Sequence, residues 1–542
     1  MPDLLPAIVC LLRLLIGKSC DSSPPAFAIN RQHCREFSAC SRLDNSGHGT
    51  FSQPIDHGNP ELGTFEHFFY WNTRHWNQWE TRSPPIILYL GADHSIDGID
   101  QQLDGDDTLV TNLAKRLGAV TILLEHRYWG RSSPFEIGTT SNLQYLTIEQ
   151  ALKDIVYFAK NVELPTLSRI KALDPMTRPW ILVGGGYAGA LTVWTSQGAP
   201  DLFSAHLASS PRLVAAEAFT QFDEAAIEYG PKNCSRDVML VVEHVDAILQ
   251  HVAGTRDEIN ALKSIFGLER LEDDDFAFVL HIGPLQWAEA SISREFSYME
   301  FCDYVEGSFD DRGEKSNIPI PDEIGVGLQR AISGYASYIN VLRSRCAQAN
   351  YTEYQLPGND MLCWDTYEPF NPKFTDISIN DGAIRRQWKW LTCNEPYASW
   401  PAAPPPGQLS LMSRLVTPNR YARECRLTFP AGEGEGFGLK YGATFKDFNI
   451  KYDGWTISPS SKRLIYSNGK MDPYFPLSVS SPTRPGGPSN GTSDVRVFVH
   501  PGGARDDLFM SSGRVHAEMR AVQDAELEQL TQWVMNDRRF FS

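Results

Sequence analysis

The sequence predicts an α/β fold, a parallel sheet with helices on both faces, and three observations carry that prediction. Apolar runs at Pro85–Leu90, Val120–Glu125 and Trp180–Val183 stand between glycine or proline residues, as strands buried on both faces do. A helical pattern separates the second run from the third. The third run then passes through a sharp glycine turn directly into another helix, over Trp180–Trp194. Strands and helices alternating in this way build a parallel sheet.

Each element has a local reason. Thr147-Ile-Glu-Gln150 reads as a capping box opening a helix whose apolar positions, Leu152, Ile155, Val156, Ala159 and Val162, follow helical spacing. From about 212 to 400 the pattern changes to helical segments such as Val238–Val252 and Glu323–Arg345, with few convincing strands. This stretch predicts a helical insertion covering one edge of the sheet. Pro401-Ala-Ala-Pro-Pro-Pro406 reads as the hinge back into the core. Strands resume at Arg463–Tyr466 and Val495–Val499, and a last helix is expected over Glu518–Met535. The expected organisation is a core domain over 45–211 and 401–542 with a helical cap over 212–400. There are no internal repeats.

Composition narrows the function. The 542 residues carry 42% hydrophobic and 21% charged side chains, ordinary for a globular chain, and a formal charge of −17. That charge argues against a nucleic-acid partner, because phosphate binding needs a basic surface. The apolar run Leu4–Ile16, interrupted by Arg13, is too short to span a bilayer and reads as part of a secretory leader over 1–28. Cys34, Cys40, Cys234, Cys302, Cys346, Cys363, Cys393 and Cys425 then remain, an even set without a C-x-x-C metal pattern. They read as disulfides rather than a zinc site, and no metal or cofactor is expected. Sequons at Asn233, Asn350 and Asn490 fit the same compartment, so a secreted or lysosomal/vacuolar location is expected. Neither disulfide connectivity nor an oligomeric state follows from the sequence.

The glycine turn is the most informative local feature. Strand, sharp turn and helix make a nucleophile elbow, which holds a serine on strained backbone at the top of a hydrolase sheet. In Gly184-Gly-Gly-Tyr-Ala-Gly189 the tip is Gly186, which has no hydroxyl.

Several blocks, in order, give the chain a specific resemblance. They include Phe51-Ser-Gln-Pro-Ile-Asp-His57, Glu125-His-Arg-Tyr-Trp-Gly-Arg-Ser132, Tyr145–Leu152, the elbow itself and Ala208-Ser-Ser-Pro211. Trp390-Leu-Thr-Cys-Asn-Glu395, Ser467-Asn-Gly-Lys-Met-Asp-Pro473 and Gly502–Leu508 follow. From about 48 to 535 the chain resembles the serine peptidases that include lysosomal Pro-X carboxypeptidase, dipeptidyl peptidase II and thymus-specific serine peptidase. The resemblance implies an α/β-hydrolase fold with a helical cap between nucleophile and acid. It also implies peptide ligands, proline-containing ones among them, cleaved from one chain end by a triad in the order Ser, Asp, His. Carried over residue by residue, the nucleophile falls on Gly186, the acid on Asp472 and the base on Arg505. The acid alone is retained. Glycine cannot form an acyl intermediate, and arginine, with a pKa above about 12, cannot accept the serine proton.

Other residues keep alternative roles open. Ser209 and Ser210 read as turn serines, and His500, five residues before Arg505, is the nearest candidate for a replacement base. Tyr187 is expected to offer its backbone N–H to an oxyanion hole. Asp472 and Arg505 are expected to form an ion pair in place of the acid–base contact. Gly91-Ala-Asp93 stands where relatives carry Gly-Gly-Glu, and Tyr474 where they carry tryptophan. His57, His126 and Cys393 read as structural. Three functions follow: a pseudopeptidase that keeps the scaffold, an exopeptidase rescued by another residue, and a non-catalytic interaction protein.

Overall fold

Alternate side chains of the central strands enter two different apolar cores, so the sheet is buried on both faces. The computed structural model describes residues 45–76, 84–164, 173–250, 255–289, 297–309, 322–348, 359–379, 386–430, 443–503 and 517–540. The leader 1–28, Cys34 and Cys40 fall outside them.

Ten strands are formed: β1 (Ser46–Pro54), β2 (Thr64–Asn72), β3 (Ile86–Leu90), β4 (Val120–Leu124), β5 (Trp180–Gly185), β6 (Ala205–Ser209), β7 (Ala216–Phe219), β8 (Ser399–Pro401), β9 (Leu464–Gly469) and β10 (Val495–His500). Eight make one sheet in the order β1-β2-β4-β3-β5-β6-β9-β10. β1, β2 and β4 pair antiparallel, and every later pair is parallel. The helices that matter for the site are α1 (Leu109–Leu117), α2 (Ile148–Asn161), α3 (Gly186–Gly198), α4 (Lys232–Leu249), α5 (Asp273–Leu285), α6 (Leu328–Gln348), α7 (Arg386–Asn394), α8 (Pro418–Thr428) and α9 (Ala517–Met535).

Ile87 and Tyr89 of β3 and Ile181 and Val183 of β5 join a core with Leu113 of α1 and Leu530 of α9. Their neighbours Ile86, Leu88, Trp180 and Leu182 face Ile155 of α2 and Leu191 of α3, in a core that continues into the helices of the 212–400 stretch. The period-two alternation of a strand produces this division. The arrangement is the mixed α/β, α/β-hydrolase fold expected from the sequence.

Three details refine the expectations. Thr147 caps α2, accepting the Gln150 N–H at 3.1 Å, but Gln150 does not reciprocate. Its side chain bonds Asp56 at 2.6 Å and the His57 N–H at 3.0 Å, so the capping box is half-formed and ties α2 to the loop after β1. β7 and β8 pair in parallel, bringing the two ends of the 212–400 stretch side by side. Disulfides join Cys234 to Cys302, Cys346 to Cys363 and Cys393 to Cys425. The last of these ties α7 to α8 across the proline-rich stretch, so the chain returns to the sheet only at β9. Among the described residues no helix is long and apolar enough to cross a membrane.

Candidate functional site

β5 ends in Gly184 and Gly185, and α3 begins at Gly186 with φ of +55°. This is the left-handed conformation that strains any L side chain and that glycine adopts freely. The flanking glycines have steric reasons. A Cβ on Gly184 would lie 2.2 Å from the Ala188 carbonyl oxygen, and one on Gly189 would lie 2.7 Å from that of Ser209. Small residues at both positions let α3 start at once and pack against β6. The turn thus keeps the elbow conformation around a tip that carries no hydroxyl.

Tyr187 follows. Its backbone N–H lies in the first turn of α3, where no intrahelical acceptor exists. Its buried side chain is hydrogen-bonded to Nε2 of His126 at 3.1 Å, while His126 donates from Nδ1 to the Arg127 carbonyl at 2.8 Å. Across the turn, the Gly91 N–H already donates to the Leu124 carbonyl at 2.7 Å. A second oxyanion donor from the Gly91-Ala-Asp93 loop therefore has to come from beyond Gly91.

The block Glu125–Ser132 is a buried polar frame behind this turn. Glu125 accepts the Arg131 N–H at 2.8 Å and the Ser132 hydroxyl at 2.7 Å on one oxygen, and the Ile96 N–H at 3.2 Å on the other. Gly130, with φ of +52°, leaves room for that carboxylate, because a Cβ there would sit 1.9 Å from it. Arg127 donates twice to Asp154, at 2.6 and 2.7 Å, and also to the carbonyls of Pro54, Ile55 and Tyr145. His57 completes the set at 2.8 Å from Asp154. Burial alone would raise the Asp154 pKa. The charge and hydrogen bonds of Arg127, with the bond from His57, outweigh burial and hold that carboxyl far below its ordinary value.

On His126 burial outweighs the opposing hydrogen bond to the Arg127 carbonyl and the charge of Asp154, and pushes its pKa down to about 4. The folded chain keeps this imidazole neutral, whereas the unfolded chain protonates it below about 6.5. Stability should therefore fall as pH drops from about 6.5 to 4, by up to about 3 kcal/mol from this residue. Urea unfolding of His126→Gln across that range is expected to give a shallower pH profile. An unchanged slope would show that His126 contributes nothing to it.

The residue expected to be the acid, Asp472, lies just after β9. Asp472 is buried, and its carboxylate accepts the Tyr474 N–H at 2.9 Å. Two contacts fix the preceding residue, Met471: its N–H donates to the Gly503 carbonyl at 2.9 Å, and its carbonyl accepts the Trp287 indole N–H at 2.9 Å. The segment after β10 thus runs beside the acid loop as far as Gly503. Arg505 and its expected ion pair with Asp472 lie outside the described residues. His500 is buried against the C-terminal helix, with Nε2 2.9 Å from the Ser467 hydroxyl and 3.4 Å from Glu526 of α9. Ser209 and Ser210 are buried at the end of β6, and Ser210 holds φ of +43° with its N–H on the Ser467 carbonyl.

Beside the elbow lies a cavity of about 180 Å³, walled by Trp388, Tyr397, Trp400, Tyr421 and Tyr474 with Arg212. Tyr187 packs against the rings of Trp388 and Tyr397 at 5.7 and 5.3 Å, so turn and cavity share a wall. No sequence signal marks Trp287, which comes from the 212–400 stretch, or the Arg127–Asp154 pair. Arg212 carries no sequence signal either, since it stands just outside the Ala208–Pro211 block. Of the sequons, Asn490 is exposed, Asn233 is buried in α4 beside the Cys234 disulfide, and Asn350 lies outside the described residues. The fold leaves room for a glycan at Asn490 and little at Asn233.

Comparison with known proteins gives one consistent answer. The model of a family described as serine carboxypeptidase S28 matches residues 53–486. The chain is 32% identical over 501 residues to serine protease vicPb of Bipolaris victoriae, covering 91% of this chain and 89% of that one. It is 31% identical over 498 residues to serine protease vicPa of the same fungus, at the same coverages. The human thymus-specific serine protease is 25% identical over 498 residues, covering 86% of this chain and 82% of its own.

Proposed function

Because the chain belongs to the serine carboxypeptidase S28 family, we propose that it is a pseudopeptidase, keeping the peptide-binding frame without the hydrolytic chemistry. The observation that carries this reading is Gly186 at the left-handed tip of the elbow, where the mechanism needs a hydroxyl. In this reading the Tyr187 N–H receives a ligand carbonyl and the aromatic cavity receives the adjoining residue. Asp472 orients no imidazole, because the base position holds an arginine in the sequence. Peptides, proline-containing ones among them, are the ligands. A secreted or lysosomal/vacuolar compartment suits the three disulfides.

Rescue by a substitute residue has less support. His500 is held by Ser467 and Glu526, and both candidate serines are buried at the strand end. A fluorophosphonate probe, which bonds only an activated serine, is expected to leave the natural chain unlabelled. Peptides incubated with the chain are expected to come back intact by mass spectrometry. Labelling of Ser209, Ser210 or any other serine, together with peptide cleavage, would overturn the pseudopeptidase reading.

A further inference from the structure

Arg212 follows Ser209-Ser210-Pro211, just beyond the C-terminal end of β6, where ligands of open α/β sheets collect. Its guanidinium lies over the rings of Tyr474, at 4.4 Å, and Trp388, at 5.5 Å. Its Nε is buried and has no hydrogen-bond partner, and no carboxylate among the described residues pairs with it. Arg212 as a whole is half-buried, and two fully buried arginines are treated differently: Arg127 has Asp154 at 2.6 Å and Arg420 has Asp275 at 2.8 Å. Among the described residues the other cation of the cavity wall, Lys389, is paired with Glu424 at 2.8 Å, and no acid lines the cavity. In a chain with 66 acidic and 49 basic side chains, an arginine left without an anion in an acid-free cavity is an exception that needs a cause. A buried guanidinium nitrogen without an acceptor is costly until an anion meets it.

We propose that Arg212 is the receptor for a carboxylate on the ligand, whose neighbouring apolar group fills the space between Trp388, Tyr397 and Trp400. This rests on the reading of the site as a peptide-binding one and adds its ligand class. A volume near 180 Å³ takes one residue-sized group, since a cavity of about 150 Å³ already holds benzene. The guanidinium is planar and pre-oriented by the two rings, so a carboxylate can meet it with two parallel hydrogen bonds. A free C-terminal carboxylate and an acidic side chain share this chemistry.

Calorimetric titration of the full chain decides the matter with three probes: acetyl-Ala-Pro-Phe with a free carboxyl, its C-terminal amide, and acetyl-Ala-Pro-Glu amide. The free acid or the glutamyl amide is expected to bind on the order of tenfold or more tightly than the neutral amide, and whichever does so names the source of the carboxylate. Arg212→Gln should abolish the difference and Arg212→Lys should restore part of it, each with an unchanged near-ultraviolet circular dichroism spectrum. Equal binding of all three probes, no binding at millimolar concentration, or a preference that survives Arg212→Gln would overturn the assignment. Mass spectrometry of the same mixtures reads cleavage separately. Cleavage with a carboxylate preference would sink the pseudopeptidase reading alone, and intact peptides without that preference would sink only the assignment to Arg212.

Discussion

Restoring serine at 186 and histidine at 505 together should turn this chain into a working peptidase. Loss of either the nucleophile or the base of a serine triad costs about 10⁶-fold in kcat, so each single reversion is expected to stay near background. Gly186→Ser alone supplies a hydroxyl that Arg505 cannot deprotonate, and Arg505→His alone supplies a base with nothing to activate. The double variant meets a frame already built for it. The tip is left-handed, Gly184 and Gly189 keep α3 close to β5 and β6, the Tyr187 N–H is in the first turn, and Asp472 is in place. A serine at φ of +55° costs roughly 1–2 kcal/mol of stability, which urea unfolding should register alongside the gained activity. Release of product from proline-containing peptides is the measurement. Equal turnover by the natural chain and the double variant would mean another residue already does the work. An inert double variant would mean that the frame has drifted beyond repair.

Asp154→Ala should destabilise the fold by about 3–5 kcal/mol, because it strands the fully buried Arg127 guanidinium without its carboxylate. Asp154 bonds both Arg127 and His57, and the Arg127 carbonyl in turn orients His126 against Tyr187. The damage should therefore reach the elbow, and peptide affinity should fall with stability. Replacing the pair jointly, Arg127→Met with Asp154→Leu, is expected to cost less than Asp154→Ala alone, since no charge is left buried. The pH dependence has a definite sign. A carboxyl whose folded pKa is depressed contributes fully above its unfolded value near 3.8 and loses that contribution as pH falls toward the folded value. Denaturant titration of the three proteins would decide, and a loss below about 1 kcal/mol for Asp154→Ala would refute the account.

Legibility in the sequence followed locality. β3, β4 and β5 could be read because strands buried on both faces are continuous apolar runs. β1 could not, since Ser46-Gly-His-Gly-Thr50 mixes glycine with polar residues at an edge and offers no such run. β6 is as long as β3 and β4, but its buried His206 breaks the apolar pattern. The elbow, Tyr187 and Asp472 were found by motif because each sits in a contiguous block. The partners that hold them are remote: Arg127 and Asp154 are 27 residues apart, and Trp287 and Met471 are 184 apart. No spacing rule reaches across such intervals, because the topology alone decides which side chains meet. The same holds for the cysteines, whose even number was legible while their pairing was not.

The three disulfides have a distribution with a consequence of its own. All of those among the described residues fall between Cys234 and Cys425, so the covalent reinforcement they supply goes to the helical stretch and its return. Trp388 and Lys389, which wall the cavity, lie on the helix that Cys393 anchors. A thiol-rich environment would leave the sheet able to form while loosening one wall of the cavity. Ligand capture would then depend on where the chain matured, with the oxidising power of that compartment acting as the setting that arms the site.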